Sequence, residues 1–223
     1  HACGHDGHVT MALGAAKYLA ETRNFAGRVA FIFQPAEEEG GGGGVMVQEG
    51  IMDRFDIAEI YGIHNAPNLS LGHFHTTPGP LMASVDTAWV TVTGKGGHGA
   101  TPHDCIDPIV AVVAMVQAFQ TIIPRNVFAM DEAVISVTQI HAGSASNIIP
   151  EVATFCATIR SFSPHVRDLL KRRVHEIVAG HAAAFNVQAD VDYDWGYPAT
   201  VNHPDQADFA ADVALSSIAL YAD

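Results

Sequence analysis

Basic residues are scarce: 11 Lys and Arg stand against 24 Asp and Glu in 223 residues, a formal charge of −13 at pH 7, and no basic cluster occurs. A chain of that sign lacks the electrostatic footprint for nucleic acid or an anionic membrane surface, so neither is expected as a partner. Cysteine is scarce too. Cys3, Cys105 and Cys156 are an odd number at unrelated spacings, which argues against a disulfide framework and for a reducing, cytoplasmic compartment. No run approaches the roughly 18 to 20 apolar residues of a membrane span. No signal peptide opens the chain; it starts inside a histidine-rich motif rather than at an initiator methionine, so a preceding segment is expected. Internal repeats are absent, and low complexity is confined to the five glycines at 40–44.

What is present suffices for a sizeable core: 48% of residues are hydrophobic and 16% charged, which fits one large domain or two smaller ones. Residues 9–21 (VTMALGAAKYLAE) carry apolar side chains at helical spacing and predict an amphipathic helix. The continuous apolar runs 28–33 (RVAFIF) and 57–63 (IAEIYGI) predict buried strands of a parallel α/β sheet. Ligands of such sheets bind beyond the carboxyl ends of the strands, where QPAEEEG and HNAP fall. From Pro78-Gly79-Pro80 onward the pattern changes. Strands are expected at 86–93, 133–141, 152–162 and 187–193, with helices at 107–122 and 164–185. The order β-α-β-β-α-β is the ferredoxin-like arrangement. The expected domains are therefore 1–83, the first part of a catalytic α/β domain; 84–195, an inserted ferredoxin-like domain; and 196–223, returning to the catalytic domain through a helix near 206–219.

Three segments carry chemistry. In HACGHDGH, Cys3 and His5 flank a glycine that lets both side chains face one ion, and thiolate and imidazole are good ligands for zinc and its neighbours. Asp6 is placed to orient an imidazole. His1 and His8, taken singly, have the standing of surface residues. Glu37, Glu38 and Glu39 form either a solvated loop or a functional pair in which one carboxylate ligates metal while its neighbour takes a proton from water. His64, at the end of the second run, is a packed histidine unless its position beside that cluster gives it a role.

Together HACGHDGH, FQPAEE, YGIHN, GKGGHGATPH, SNIIP and ATIRSF resemble the aminoacylase and carboxypeptidase-G group of two-metal peptidases, in the branch of hippurate hydrolase and N-acyl-amino-acid amidohydrolases. The resemblance implies an incomplete zinc-peptidase-like α/β catalytic domain with an inserted ferredoxin-like dimerisation domain. It also implies two divalent ions held by Cys3, His5, Glu38 and His64, with a further histidine ligand outside these 223 residues; donor chemistry and availability make these ions zinc or manganese first and cobalt or nickel next. Glu37 would be the general base. His98 and Asn147 would contact substrate or its oxyanion in the active site of the second subunit of a homodimer, and Arg160 would grip the carboxylate of a small N-acyl amino acid. Glu39 stands where relatives often have glycine.

Two other readings remain at this point. One is a truncated, inactive remnant that binds metal or dimerises. The other is a hydrolase with Cys3 as nucleophile beside His5 or His8, which leaves Glu37 and Glu38 without a task. His103, His141 and His203 are taken as structural.

Overall fold

The structure, a computed structural model, describes residues 3–38 and 40–219, with the side chains of 218 and 219 excepted; His1 and Glu39 lie outside it. The chain divides into two compact units, His1–His75 and Thr76–Leu220. The division falls at Thr76 where the sequence suggests Ser84, and the C-terminal helix groups with the second unit.

In the first unit, α1 (His5–Thr22) is followed by the short helices α2 (Gly42–Gln48) and α3 (Ile51–Phe55). Helix α1 begins a turn earlier than its apolar periodicity suggests, so His5 and His8 are helical. Its start is set by Gly4, which takes a left-handed φ of 78° and whose carbonyl accepts from Gly7 N and His8 N at 3.0 and 3.2 Å. No residue of α1 is buried.

The two expected strands do not form: residues 28–33 and 57–63 join no β-ladder among the described residues. Val29, Phe33, Ile60 and Ile63 are exposed. An apolar run favours extended backbone, but a strand exists only where a neighbour takes up its N–H and C=O groups. Among the described residues of the unit these runs have no such neighbour.

The second unit follows the expected order. Its main sheet contains β2 (Asp86–Thr93), β4 (Ala133–Ala142), β6 (Val152–Ser161) and β7 (Gln188–Trp195). All pairs are antiparallel, in the order β4-β6-β2-β7. Helices α4 (Pro108–Phe119) and α6 (Pro164–Phe185) supply the two crossovers, and the short α5 (Ile122–Asn126) follows α4. The first strand thus lies between the third and fourth, as the split βαβ sandwich requires.

Period-2 alternation drives this packing. Ala88, Val90 and Val92 of β2, with Phe155, Ala157 and Ile159 of β6, meet Val112, Met115 and Phe119 of α4 and Leu170 and Val174 of α6 in one buried core. Phe119 and Phe155 meet edge to face at 5.3 Å, an arrangement worth about 0.5–1.5 kcal/mol beyond the area it buries. Asp107 caps α4 by accepting from Ile109 N at 2.8 Å, and Pro108 opens it.

Two small ladders complete the unit. β1 (Gly79–Met82) pairs with β8 (Thr200–Asn202), just before α7 (Pro204–Ala219), and β3 (Gly97–His98) pairs with β5 (Ile148–Ile149).

Candidate metal centre

Within the first unit, three sequence-distant segments converge. The turn before α1 contributes Cys3, and the first residue of α1 is His5. The loop after residues 28–33 contributes Glu37 and Glu38, and the end of 57–63 contributes His64. Gly42 explains part of the glycine run: a Cβ there would drive into the Pro35 carbonyl, so the loop carrying the two glutamates can fold back tightly only without a side chain at 42.

One ligand atom each from Cys3, His5 and Glu38 lies within 4.8 Å of the others. His5 Nε2 stands 3.4 Å from Glu38 Oε1 and 3.3 Å from Glu37 Oε2. Cys3 Sγ is 3.5 Å from His64 Nε2. Ligand atoms arranged about one tetrahedral ion at roughly 2.0–2.3 Å are themselves about 3–4 Å apart, so these spacings suit shared coordination.

Glu37 Oε2 is buried and has no hydrogen-bond partner among the described residues; His5 Nε2 is 3.3 Å away. A buried carboxylate oxygen without a donor is costly unless a positive charge or a proton meets it. The donor set of thiol, two imidazoles and carboxylate is one that zinc and neighbouring divalent ions accept. The residues therefore fit a metal.

The electrostatics agree. Desolvation, followed by the Glu38 carboxylate, pushes the Cys3 thiol above its usual range, so a cation is needed to favour thiolate there. Desolvation, helped by the His64 and His5 rings, pushes His8 below its usual range.

The expected residues of the second unit fall in two places. His98 and Asn147 are brought together by the β3–β5 ladder, where Gly99 N donates to Asn147 O at 2.8 Å. His98 Nδ1 accepts from Ala100 N at 3.1 Å, which leaves the ring proton on Nε2. Arg160 lies instead on β6, where its Nη1 donates to the Ile159 carbonyl at 3.1 Å. His141 and His103, taken as structural, approach Gln139 Oε1 at 3.2 Å and Asp104 Oδ2 at 3.7 Å.

Sequence reasoning weighed His8 only as a surface residue or as a base beside Cys3, and passed over Asn65. Asn65 N donates to His8 Nε2 at 2.8 Å. The available signal was the three-residue spacing of His5 and His8, which puts both on one face once the helix begins at His5.

A mixed α/β chain whose first unit gathers thiol, imidazole and carboxylate groups at metal-ligand spacing has the makings of a metallopeptidase. The chain belongs to Peptidase family M20/M25/M40, which matches residues 1–219. It is 40% identical over 214 residues to a hippurate hydrolase of Campylobacter jejuni, covering 96% of this chain and 56% of that protein. It is 38% identical over 203 residues to an N-acetyl-L-cysteine deacetylase of Bacillus subtilis, covering 91% and 48%. Among solved structures it resembles the Bacillus subtilis YXEP protein, described as a dinuclear metal-binding peptidase of the M20 family. There the TM-score is 0.74 and the identity 32%, with 97% of this chain and 55% of that one covered. The chain spans about half the length of the relatives it matches. No helix among the described residues is long and apolar enough to cross a membrane.

Proposed function

We propose that this chain forms the greater part of a metal-dependent amidohydrolase that cleaves N-acyl amino acids, with Cys3, His5, Glu38 and His64 as ligands to two divalent ions and Glu37 as general base. The observation that carries this reading is the convergence of Cys3, His5 and Glu38 ligand atoms beside a buried Glu37 Oε2 that has no hydrogen-bond partner among the described residues. The names of the relatives, a hippurate hydrolase and an N-acetyl-L-cysteine deacetylase, support the substrate class. The mixed thiolate, imidazole and carboxylate donors suit zinc, and manganese, cobalt or nickel would be taken according to availability.

Divalent ions held there would make water acidic enough to react at neutral pH and would polarise the acyl carbonyl. Glu37 Oε2 then takes a proton from the attacking water. The same oxygen returns it to the departing amine nitrogen as the C–N bond breaks, so protons balance over the cycle. His98, with its proton on Nε2, is a donor for the oxygen that becomes negative during attack. Asn147 adds a second polar contact and Arg160 a guanidinium for the substrate carboxylate.

His98 and Asn147 are read as serving the site of a second copy in a homodimer formed by the ferredoxin-like unit. Its sheet has two edge strands, β4 and β7, each paired on one side only within the chain. Three cysteines without disulfides support a reducing, cytoplasmic setting.

The cysteine-nucleophile reading is disfavoured by the upward push on the Cys3 thiol, since a nucleophilic cysteine needs the opposite shift. The experiment is metal analysis of the full-length protein containing these residues, with a panel of N-acetyl, N-benzoyl and indole-acyl amino acids assayed with zinc, manganese, cobalt and nickel. About two ions per chain and chelator-sensitive hydrolysis are expected. Glu37→Gln should keep the metal and lose at least about a hundredfold in turnover. Bound metal without turnover would favour the inactive remnant; no bound metal would overturn the proposal.

A further inference from the structure

His8 lies among the metal-centre residues without a role in coordination or proton transfer, and its contacts are specific. Its Nε2 accepts the backbone N–H of Asn65 at 2.8 Å. An imidazole nitrogen that accepts from an amide carries no proton, so the ring proton of neutral His8 is on Nδ1. Both nitrogens are then committed: one lone pair is taken by the Asn65 amide and the other nitrogen is protonated. His8 in this state is not a ligand.

The neighbouring ring is held by the same residue. His64 Nδ1 lies 2.7 Å from Asn65 O. A carbonyl only accepts, so Nδ1 carries the proton and the Nε2 lone pair faces Cys3 Sγ, 3.5 Å away. The Asn65 backbone is thus gripped twice, at N–H by His8 and at C=O by His64. The His8 ring also packs edge to face on His64, with centroids 4.5 Å apart. The Asn65 side chain rests so closely over Gly4 that a Cβ at position 4 would collide with its Nδ2. The first turn of α1 therefore fixes the His64–Asn65 segment at two points, the His8 ring and the bare Gly4 Cα.

We propose that His8 is a positioning residue that, through the Asn65 amide and the edge of the His64 ring, holds His64 in the tautomer and orientation required of a metal ligand. This rests on the metal centre proposed above. Groups that orient a ligating histidine commonly govern metal affinity by 10- to 100-fold.

The test compares the unaltered chain with His8→Ala and His8→Gln by cobalt titration, read from the visible bands and the near-ultraviolet thiolate-to-cobalt absorption, with chelator competition for affinity. Glutamine offers Oε1 as an acceptor at a reach close to that of histidine Nε2. His8→Ala should weaken cobalt binding about 10- to 100-fold and alter the spectrum, and His8→Gln should recover most of both. An alanine variant within about twofold of the unaltered chain, or a glutamine variant as weak as alanine, overturns the inference. If the unaltered chain takes up no cobalt, the metal centre itself fails and the inference falls with it. A measurement independent of variant folding is the nitrogen-15 spectrum of the metal-free, unaltered chain. There His8 and His64 should both show the Nδ1–H tautomer, and an Nε2–H signal from His8 overturns the proposal.

Discussion

Asp86, whose side chain is withdrawn from solvent entirely, is clasped by Arg167 through Nε at 2.9 Å and Nη2 at 2.5 Å. The same guanidinium donates to the Gly196 carbonyl at 3.0 Å and lies over the Trp195 ring, 4.6 Å from its centroid. The pair thus ties the start of β2 to α6 and to the end of β7. Removing one partner of a buried ion pair leaves the other charge uncompensated, at about 3–5 kcal/mol. Arg167→Met should destabilise the second unit by that order. Asp86→Leu combined with Arg167→Met should cost less than Arg167→Met alone. Urea unfolding followed by Trp195 fluorescence and by circular dichroism would show the ordering.

Tyr193 gives the same region a pH dependence. Desolvation, then the Asp86 charge, holds its hydroxyl well above the ordinary value of 10.0. A phenol in the unfolded chain ionises above about pH 10 while Tyr193 in the fold keeps its proton. Its stabilising contribution is therefore complete below pH 10 and is lost as pH rises toward the folded value. Tyr193→Phe should flatten this part of the alkaline stability profile, measured as the denaturation midpoint between pH 9 and pH 11.

The three cysteines should separate by reactivity. Cys3 is exposed, Cys105 intermediate and Cys156 buried, with desolvation also pushing the Cys156 thiol up. Iodoacetamide should label Cys3 in the folded chain and reach Cys156 only on unfolding. Because Glu38 raises the Cys3 thiol, Glu38→Gln should enlarge the thiolate fraction and accelerate labelling near pH 8. Zinc should protect Cys3. Peptide mapping by mass spectrometry reads each site separately, and equal labelling of Cys3 with and without zinc would contradict its assignment as a ligand.

The dimer reading is tested by mixing. His98→Ala chains and Glu37→Gln chains, each nearly inactive, should partly rescue each other after subunit exchange if His98 serves the other copy's site. One site of each heterodimer would then carry both defects and the other neither, giving up to about half of full activity per heterodimer when the sites act independently. Absence of recovery in a verified heterodimer would place His98 in its own chain's site.

The second unit was legible because its signals are local. Alternation in Asp86–Thr93 gives the strand and its inner face together, and Asp107-Pro108 announces a helix start. The first unit was harder to read for a physical reason. Residues 28–33 and 57–63 have the composition of strands, yet strand formation depends on hydrogen-bond partners that a run cannot specify for itself. Helix α1 was read four residues short because its start depends on a left-handed glycine rather than a Ser, Thr or Asp cap. Cys3, His5, Glu37, Glu38 and His64 were found as motifs, and the structure brings all five together. His8 was read as a surface residue or as a base beside Cys3, because its contact with the Asn65 amide lies 57 residues away in sequence.

Helix α1 has eighteen residues and no buried side chain, so within this unit its own apolar face anchors it little. Its first turn is nonetheless the turn that carries His5 and His8. Any ion held there is bound by the folded arrangement and not by the frayed one, and so adds stability in proportion to the logarithm of its free concentration. Amide exchange along α1 should consequently slow as zinc is added, while the buried strands β2 and β6 exchange at an unchanged rate. Such a result would make the helix a local opening unit whose latch is the ion, its persistence set by the metal supply of its surroundings.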